Sequence, residues 1–88
     1  MSITAYHFWS PSCAPCNHIK PAVQDLKEEF DSVNWVSVNI FEDKVTTAKY
    51  GVTSVPTIAV EWNGHVEKHS GTNMMGYYRI LRIATTQK

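Results

Sequence analysis

Two cysteines three positions apart, Cys13 and Cys16, are the residues best suited to chemistry in this chain of 88 residues. Strand-type residues precede the pair and a helical pattern follows it, so the first sulfur is predicted to lie at a helix N-terminus. There, free N–H groups and the positive end of the helix dipole favour a thiolate. We therefore interpret Cys13 as a nucleophile and Cys16, one turn later, as the thiol that resolves a mixed disulfide.

Two other interpretations of the cysteine pair are open. A bridge between residues three apart closes too small a loop to restrain the unfolded chain much, which disfavours a structural staple. Half of a zinc site is the second alternative, with His7 and His18 or another chain as further ligands. The lack of a second cysteine pair and the strand-turn-helix context favour redox chemistry. Pro15 fits this context, because the first helical turn does not need its missing N–H.

The elements that position the cysteines follow from the hydrophobic pattern. The segment Ile3–Trp9 is rich in β-branched and aromatic residues, and it predicts a buried strand that ends at Ser10. Apolar residues then recur every three or four positions, which predicts a helix over about residues 14–30. We expect a kink at Pro21, inside this helix. The apolar positions are Ile19, Val23, Leu26 and Phe30.

The rest of the chain predicts three strands and two helices. Alternating residues predict a strand at 35–40, and a short helix follows, closed by Gly51 as a C-terminal cap. Two predicted strands, 57–62 and 65–69, flank Asn63-Gly64, a strong hairpin signal because both residues tolerate positive φ. Asn73 is a good N-cap for the last helix. Its predicted apolar stripe consists of Met74, Tyr77, Tyr78, Leu81 and Ala84, and we interpret Met74 and Met75 as core residues.

This order of elements, β-α-β-α-β-β-α, predicts an α/β fold with a four-stranded mixed sheet flanked by helices. The first two strands should be parallel with a right-handed crossover, and the hairpin should add an antiparallel edge. We predict a single domain over residues 1–88, because a second core would need roughly another hundred residues.

The composition argues against several functional classes. Eight acidic and eight basic residues give a net charge of zero and no basic stripe for nucleic-acid phosphates. No segment approaches the roughly 20 apolar residues that span a bilayer. The first residues have neither the basic start nor the apolar run of a signal peptide. We expect a cytoplasmic monomer that binds neither nucleic acid nor membrane, unless a leader was removed.

Several motifs together resemble the thioredoxin family. They are the segment from Phe8 to Cys16, Pro21, the segment from Tyr50 to Thr57, and Asn63-Gly64. The resemblance runs through nearly the whole chain, although the family's first strand and helix have no counterpart. It therefore implies a truncated thioredoxin fold, of about glutaredoxin size, that begins at the strand leading into the active site.

The resemblance implies which residues bind substrate. It implies a cis Val55–Pro56 bond, with Pro56 packed beside the cysteines and the Val55 backbone pairing with an extended substrate chain. Trp9 would shield the site, and Gly71 would allow a substrate backbone to approach closely. Judged by sequence alone, Pro56 could simply open a strand, Trp9 could be core and Gly71 a turn residue. Ser12, Ala14 and Pro15 complete the predicted substrate-binding set.

Three positions depart from the family pattern. His7 stands where thioredoxins generally keep a buried acid, and Ser37 replaces the lysine that usually accompanies it. Loss of both charges together is tolerable, because neither is left unpaired. A neutral imidazole can accept a proton, so His7 is a candidate base for Cys16, with a plain core histidine as the alternative. Ser12 replaces an exposed tryptophan, which puts the usual mode of partner recognition in doubt.

The resemblance also implies what the protein does. It implies an electron carrier that reduces protein disulfides through the Cys13–Cys16 pair, needs no metal or cofactor, and is recharged by a thioredoxin-reductase-type flavoprotein. A glutathione-dependent, glutaredoxin-like reductase is the alternative that the small size favours. Trp9-Ser10, Ala14-Pro15 and the single Gly71 favour the thioredoxin type. A third hypothesis is a non-catalytic binding module on the same scaffold.

Overall fold

The described residues of the chain form seven elements of secondary structure, in the order that the hydrophobic pattern predicts. A computed structural model describes residues 2–86. Its elements are β1 (Ile3–Trp9), α1 (Ala14–Glu29), β2 (Asn34–Asn39), α2 (Lys44–Lys49), β3 (Thr57–Trp62), β4 (His65–Ser70) and α3 (Met74–Thr85). The boundaries of β2 and β4 differ from the predicted ones by a single residue. Within residues 2–86, no helix combines the length and the apolarity that a membrane crossing requires.

The four strands form one mixed sheet in the order β2-β1-β3-β4. Strand β1 pairs in parallel with β2, where His7 lies opposite Ser37, and antiparallel with β3, where His7 lies opposite Ile58. The β3–β4 pair is the antiparallel hairpin that Asn63-Gly64 predicted, with φ of 52° and 77° at these two residues. Strand β1 is therefore a central strand, and its C-terminal end leads directly to the cysteine pair.

Apolar side chains cover both faces of the sheet. The larger cluster joins the sheet to α1 and α3, with Ala5 and Ile58 contributed by the strands and Val23 and Leu81 by the helices. A smaller cluster on the opposite face contains Phe8, Val38, Tyr50 and Ala59. Because side chains alternate along a strand, β1 presents Ala5, His7 and Trp9 to one face and Phe8 to the other.

Helix α1 begins and ends where its sequence indicates. Cys13 is the N-cap, Pro15 lies in the first turn, and Phe30 is the C-cap. The predicted apolar positions Ile19, Val23, Leu26 and Phe30 are buried. Pro21 lies inside the helix, and the kink expected there stays a prediction.

Side-chain capping explains why the two remaining helices form. The Asp43 carboxylate accepts a hydrogen bond from the Thr46 N–H at 2.9 Å, which supports α2 although its residues are mediocre helix formers. Gly51, at a φ of 63°, follows this helix as predicted. The Asn73 side chain caps α3 by accepting from the Met75 N–H at 3.1 Å.

The prediction that Met75 belongs to the core is wrong. Its side chain is 72% exposed, because it lies beside the apolar stripe of α3 and faces solvent. Ile80, which the predicted stripe omitted, is buried instead. It lies three residues after Tyr77 and so shares the buried face of the helix.

Candidate active site

The cysteine pair lies at the junction between β1 and α1. Cys13 and Cys16 form a disulfide, with Cα atoms 5.2 Å apart. A turn that begins at Ser10 connects β1 to the cysteine pair. The Cys13 N–H donates to the Ser10 carbonyl at 3.1 Å, and the Ser12 N–H donates to the Ser10 hydroxyl at 3.2 Å. Ser10 is buried. Sequence reasoning treated Ser10 only as the end of the strand, although a Ser-Pro-Ser run is typical of such turns.

The first sulfur takes the place of an N-cap oxygen. The Cys16 N–H donates to the Cys13 sulfur at 3.1 Å, and Cys13 has the extended backbone of an N-cap residue. The first turn of α1 contains no acidic residue. In the reduced protein the same N–H group and the positive end of the helix dipole would favour the thiolate form of Cys13.

Burial distinguishes the two sulfurs. Cys16 is 6% exposed, whereas Cys13 is only half-buried. Ser12, Ala14 and Pro15 around them are exposed. An incoming disulfide can therefore reach Cys13 more easily than Cys16, and these three residues surround its approach.

A proline loop faces the first cysteine. The Val55–Pro56 bond is cis, and the Cys13 sulfur lies 3.7 Å from the Val55 carbonyl oxygen. Pro56 is fully buried, and its carbonyl accepts hydrogen bonds from the Gly71 N–H at 3.0 Å and the Tyr77 hydroxyl at 3.1 Å. The Val55–Pro56 segment is therefore held beside the cysteine pair by α3 and by the residue that follows β4.

Tyr77 is a site residue that sequence reasoning placed only in the apolar stripe. Its hydroxyl lies near the carbonyls of both Pro56 and Gly71, at 3.1 and 2.5 Å. Burial raises the pKa of Tyr77 to about 12, so the hydroxyl keeps its proton at physiological pH. The signal available in the sequence was a hydroxyl on an otherwise apolar helical face.

Gly71 occupies a backbone conformation that side chains rarely adopt. Its φ is 103°, and a Cβ added there would meet no atom within 4 Å. Glycine is therefore required by backbone geometry, and the space beside it is open to an approaching chain.

His7 lies on the same face of β1 as Trp9 and lines one cleft with Trp9 and Cys16. The side chain is 8% exposed, and its Nε2 atom has no hydrogen-bond partner within residues 2–86. Burial, with a smaller contribution from the charge of Lys27, lowers the pKa of His7 from 6.5 to about 4. The imidazole is therefore neutral at physiological pH.

The cleft has a volume of about 280 Å³. Its other lining residues come mainly from α1 and are Asn17, Lys20, Val23, Gln24 and Lys27, with Ser37 from β2. Ser37 orients the tryptophan, because its hydroxyl accepts a hydrogen bond from the Trp9 indole N–H at 2.7 Å. Sequence reasoning did not identify the two lysines, since their positions become meaningful only when α1 packs beside His7.

The zinc alternative finds no support in the arrangement of side chains. Over the part of the chain that the structure describes, no three histidine, cysteine, aspartate or glutamate side chains are grouped closely enough to hold a metal ion. His18 is exposed, whereas His7 is buried on β1.

Solved structures share this fold. Thioredoxin from Fasciola hepatica superposes with a TM-score of 0.86 at 26% identity, over 94% of this chain and 81% of that one. Thioredoxin from Trypanosoma brucei brucei gives a TM-score of 0.88 at 22% identity, over 98% of this chain and 77% of that one. The predicted fold class is confirmed.

Sequence comparison points to the same family. Thioredoxin from Bacillus subtilis is 39% identical over 64 residues, which are 72% of this chain and 62% of the relative. Thioredoxin from Mycoplasma genitalium is 36% identical over 76 residues, 86% of this chain and 74% of the relative. The match spans less than two thirds of the Bacillus subtilis protein. The family model "Thioredoxin" matches residues 3–78, and the chain therefore belongs to the thioredoxin family.

Proposed function

We propose that this protein is a thiol-disulfide oxidoreductase that reduces protein disulfides through a Cys13–Cys16 cycle. One observation carries the proposal: the Cys13 sulfur is the N-cap of α1, bonded to Cys16 and 3.7 Å from the Val55 carbonyl oxygen. This arrangement combines a stabilised thiolate, a resolving thiol and a backbone segment for substrate pairing at one exposed edge.

The cycle transfers two electrons to the substrate. The Cys13 thiolate attacks one sulfur of a substrate disulfide, and the other substrate sulfur leaves as a thiolate that takes up a proton. Cys16 then loses its proton and attacks the Cys13 sulfur. The second substrate thiolate leaves, and Cys13 and Cys16 are joined in the disulfide that the structure contains. No metal or cofactor takes part in these steps.

His7 is the proposed proton acceptor for Cys16. The two side chains line the same cleft, and the Nε2 atom of His7 has no hydrogen-bond partner within residues 2–86. A neutral imidazole can take the proton that Cys16 must lose before it attacks the mixed disulfide.

Substrate binding is proposed at the surface around Cys13. An extended substrate chain would pair with the backbone of Val55 and pass Gly71, where the space is open. Trp9 would cover the cleft side of the cysteine pair, held there by Ser37. The exposed residues Ser12, Ala14 and Pro15 complete this surface.

We propose a thioredoxin-reductase-type flavoprotein as the electron donor. The protein itself is proposed to be a cytoplasmic monomer that binds neither nucleic acid nor membrane. The family membership supports this donor, and the glutathione alternative has no comparable support. The test compares insulin disulfide reduction with NADPH plus thioredoxin reductase against glutathione plus glutathione reductase and NADPH. The proposal predicts faster turnover with thioredoxin reductase and none for Cys13→Ser. Faster turnover with glutathione would contradict the proposed electron donor. No turnover with either donor system would support the hypothesis of a non-catalytic binding module.

A further inference from the structure

One stripe of helix α1 carries two lysines along the cleft beside His7. Cys16, Lys20, Val23 and Lys27 follow one another at spacings of four, three and four residues, so they share one face of the helix. All four line the cleft. The two lysines therefore lie on the same wall as the resolving cysteine.

The cleft carries positive charge without a balancing acid. Its lining includes Lys20 and Lys27 but no aspartate or glutamate. Neither lysine forms an ion pair with a carboxylate within the described range 2–86, where the ion pair found joins His65 to Glu67 on β4. A cleft lined by charge of one sign attracts small ions of the opposite sign.

The buried part of the cleft offers an unused polar atom. His7 is 8% exposed, and its Nε2 atom makes no hydrogen bond with any described residue. Buried polar atoms in proteins nearly always have a partner. In the oxidised protein Cys16 has no proton to give. There the neutral imidazole can carry its proton on Nε2 and donate it to an oxygen atom of a bound ligand.

The rest of the lining combines apolar and neutral polar groups. The indole of Trp9 and the side chain of Val23 are apolar, and the side chains of Asn17, Gln24 and Ser37 are polar and uncharged. The volume of about 280 Å³ lies just below the usual range of ligand sites, roughly 300–1,000 Å³. A ligand that fills this cleft is therefore small, with one anionic oxygen group and a short apolar part.

We propose that the cleft binds a small carboxylate with an apolar body, whose oxygens contact Lys20, Lys27 and the Nε2 atom of His7. This goes beyond the redox cycle proposed above, because binding needs neither turnover nor a substrate disulfide. The binding proposal and the proposed function can therefore fail separately.

The test is an NMR titration of the oxidised full chain with benzoate, at pH 7 and constant ionic strength. The imidazole signals of His7 should shift with saturation. A bound carboxylate favours the imidazolium, so the pKa of His7 should rise in a second titration against pH. Three other histidines lie outside the cleft lining and serve as internal controls, because benzoate should not shift their signals. They are His18, His65 and His69. Benzylammonium and benzyl alcohol, similar in shape but cationic and neutral, should cause no saturable shift.

Matched variants test the two lysines. Lys20→Met and Lys27→Met should each weaken benzoate binding by about fivefold, the effect of removing one partly exposed charge partner. Lys44→Met, in α2 and outside the cleft lining, should bind as the wild type does. The proposal is overturned by non-saturating benzoate shifts, by equal binding of benzylammonium, or by unchanged binding in both lysine variants. Inorganic phosphate, an anion without an apolar part, is titrated in the same way and should bind more weakly than benzoate. Binding as tight as that of benzoate would overturn the apolar part of the proposal.

Discussion

The N–H group of Cys16 donates a hydrogen bond to the sulfur of Cys13 at 3.1 Å, across the first turn of α1. This contact makes the two cysteines chemically different, although only two residues separate them. The sulfur of Cys13 lies at the N-terminus of α1. Cys16 is only 6% exposed and lines the cleft that contains His7. The division of labour proposed for the cycle follows from this difference.

Replacement of His7 should affect the second step of the cycle more than the first. In His7→Ala, the mixed disulfide should form at nearly the wild-type rate but resolve more slowly at neutral pH, because Cys16 has lost its proton acceptor. We expect a loss of roughly 10²-fold, at the lower end of general-base contributions. His7→Asp should retain appreciable turnover, because it restores an acid–base group at the same place. Stopped-flow measurement of the resolution step from pH 5 to 9 checks this, and superimposable profiles for wild type and His7→Ala would refute the proton-acceptor role.

The same histidine should make stability depend on pH. The pKa of His7 is about 4 in the folded protein and about 6.5 when unfolded, so between these values the unfolded chain binds the extra proton. The stabilisation is therefore fully present above pH 6.5 and is lost as the pH falls to about 4, with a total near 3 kcal/mol. Urea unfolding of wild type and His7→Gln between pH 4 and 8 measures it. As the pH falls from 6.5 to about 4, wild type should lose roughly 3 kcal/mol of stability relative to His7→Gln, which has no titrating group at this position. A difference between the two proteins that does not change with pH would show that His7 does not titrate in this way.

Tyr77→Phe should destabilise the fold and disturb the Val55–Pro56 segment. The change removes the hydroxyl whose proton is shared between the Pro56 and Gly71 carbonyls. The Pro56 carbonyl keeps its hydrogen bond from the Gly71 N–H, so we expect a cost of about 1 kcal/mol. Disulfide exchange at Cys13 should also slow. Tyr78→Phe is the matched control, because its hydroxyl accepts a hydrogen bond from Arg82 at the surface, at 3.4 Å, and does not contact the Val55–Pro56 segment. Equal stability and equal exchange rates in the two variants would argue against a positioning role for Tyr77.

The sequence predicted most of the fold because local signals agree with tertiary packing. The β-branched and aromatic residues of β1, the caps Cys13 and Asn73, and the turn at Asn63-Gly64 each act over a few residues, and the structure contains each predicted feature. Met75 shows the limit of such signals: residue type alone does not say which of two neighbouring methionines faces solvent.

The candidate site was only partly predictable. Cys13 and Cys16 are only three positions apart in the sequence, so their spacing was informative. The contact of Tyr77 with Pro56 joins residues 21 positions apart, and it depends on how α3 packs on the sheet. The approach of Lys27 to His7 depends in the same way on the packing of α1, and no pattern along the chain encodes it.

Ser37→Ala should release the indole of Trp9. The hydroxyl of Ser37 accepts the hydrogen bond of the indole N–H at 2.7 Å, in an exposed position. We therefore expect a stability change below about 1 kcal/mol. In NMR spectra the Trp9 indole N–H signal should shift, whereas that of Trp35, which donates to the Phe30 carbonyl, should not. Ser32→Ala, also exposed, is the control, and an unshifted Trp9 signal in Ser37→Ala would contradict the contact.

The central claim, that Cys13 is the nucleophile and Cys16 the resolving thiol, is tested most directly by alkylation of the reduced protein. The rate of iodoacetamide modification at each cysteine is measured by mass spectrometry from pH 4 to 9, with Cys13→Ser and Cys16→Ser to assign the sites. We predict that Cys13 reacts first, with a pKa well below the ordinary thiol value of about 8.5, because the N-terminus of α1 stabilises its thiolate. Faster labelling of Cys16 at mildly acidic pH, or an ordinary pKa at Cys13, would contradict the account.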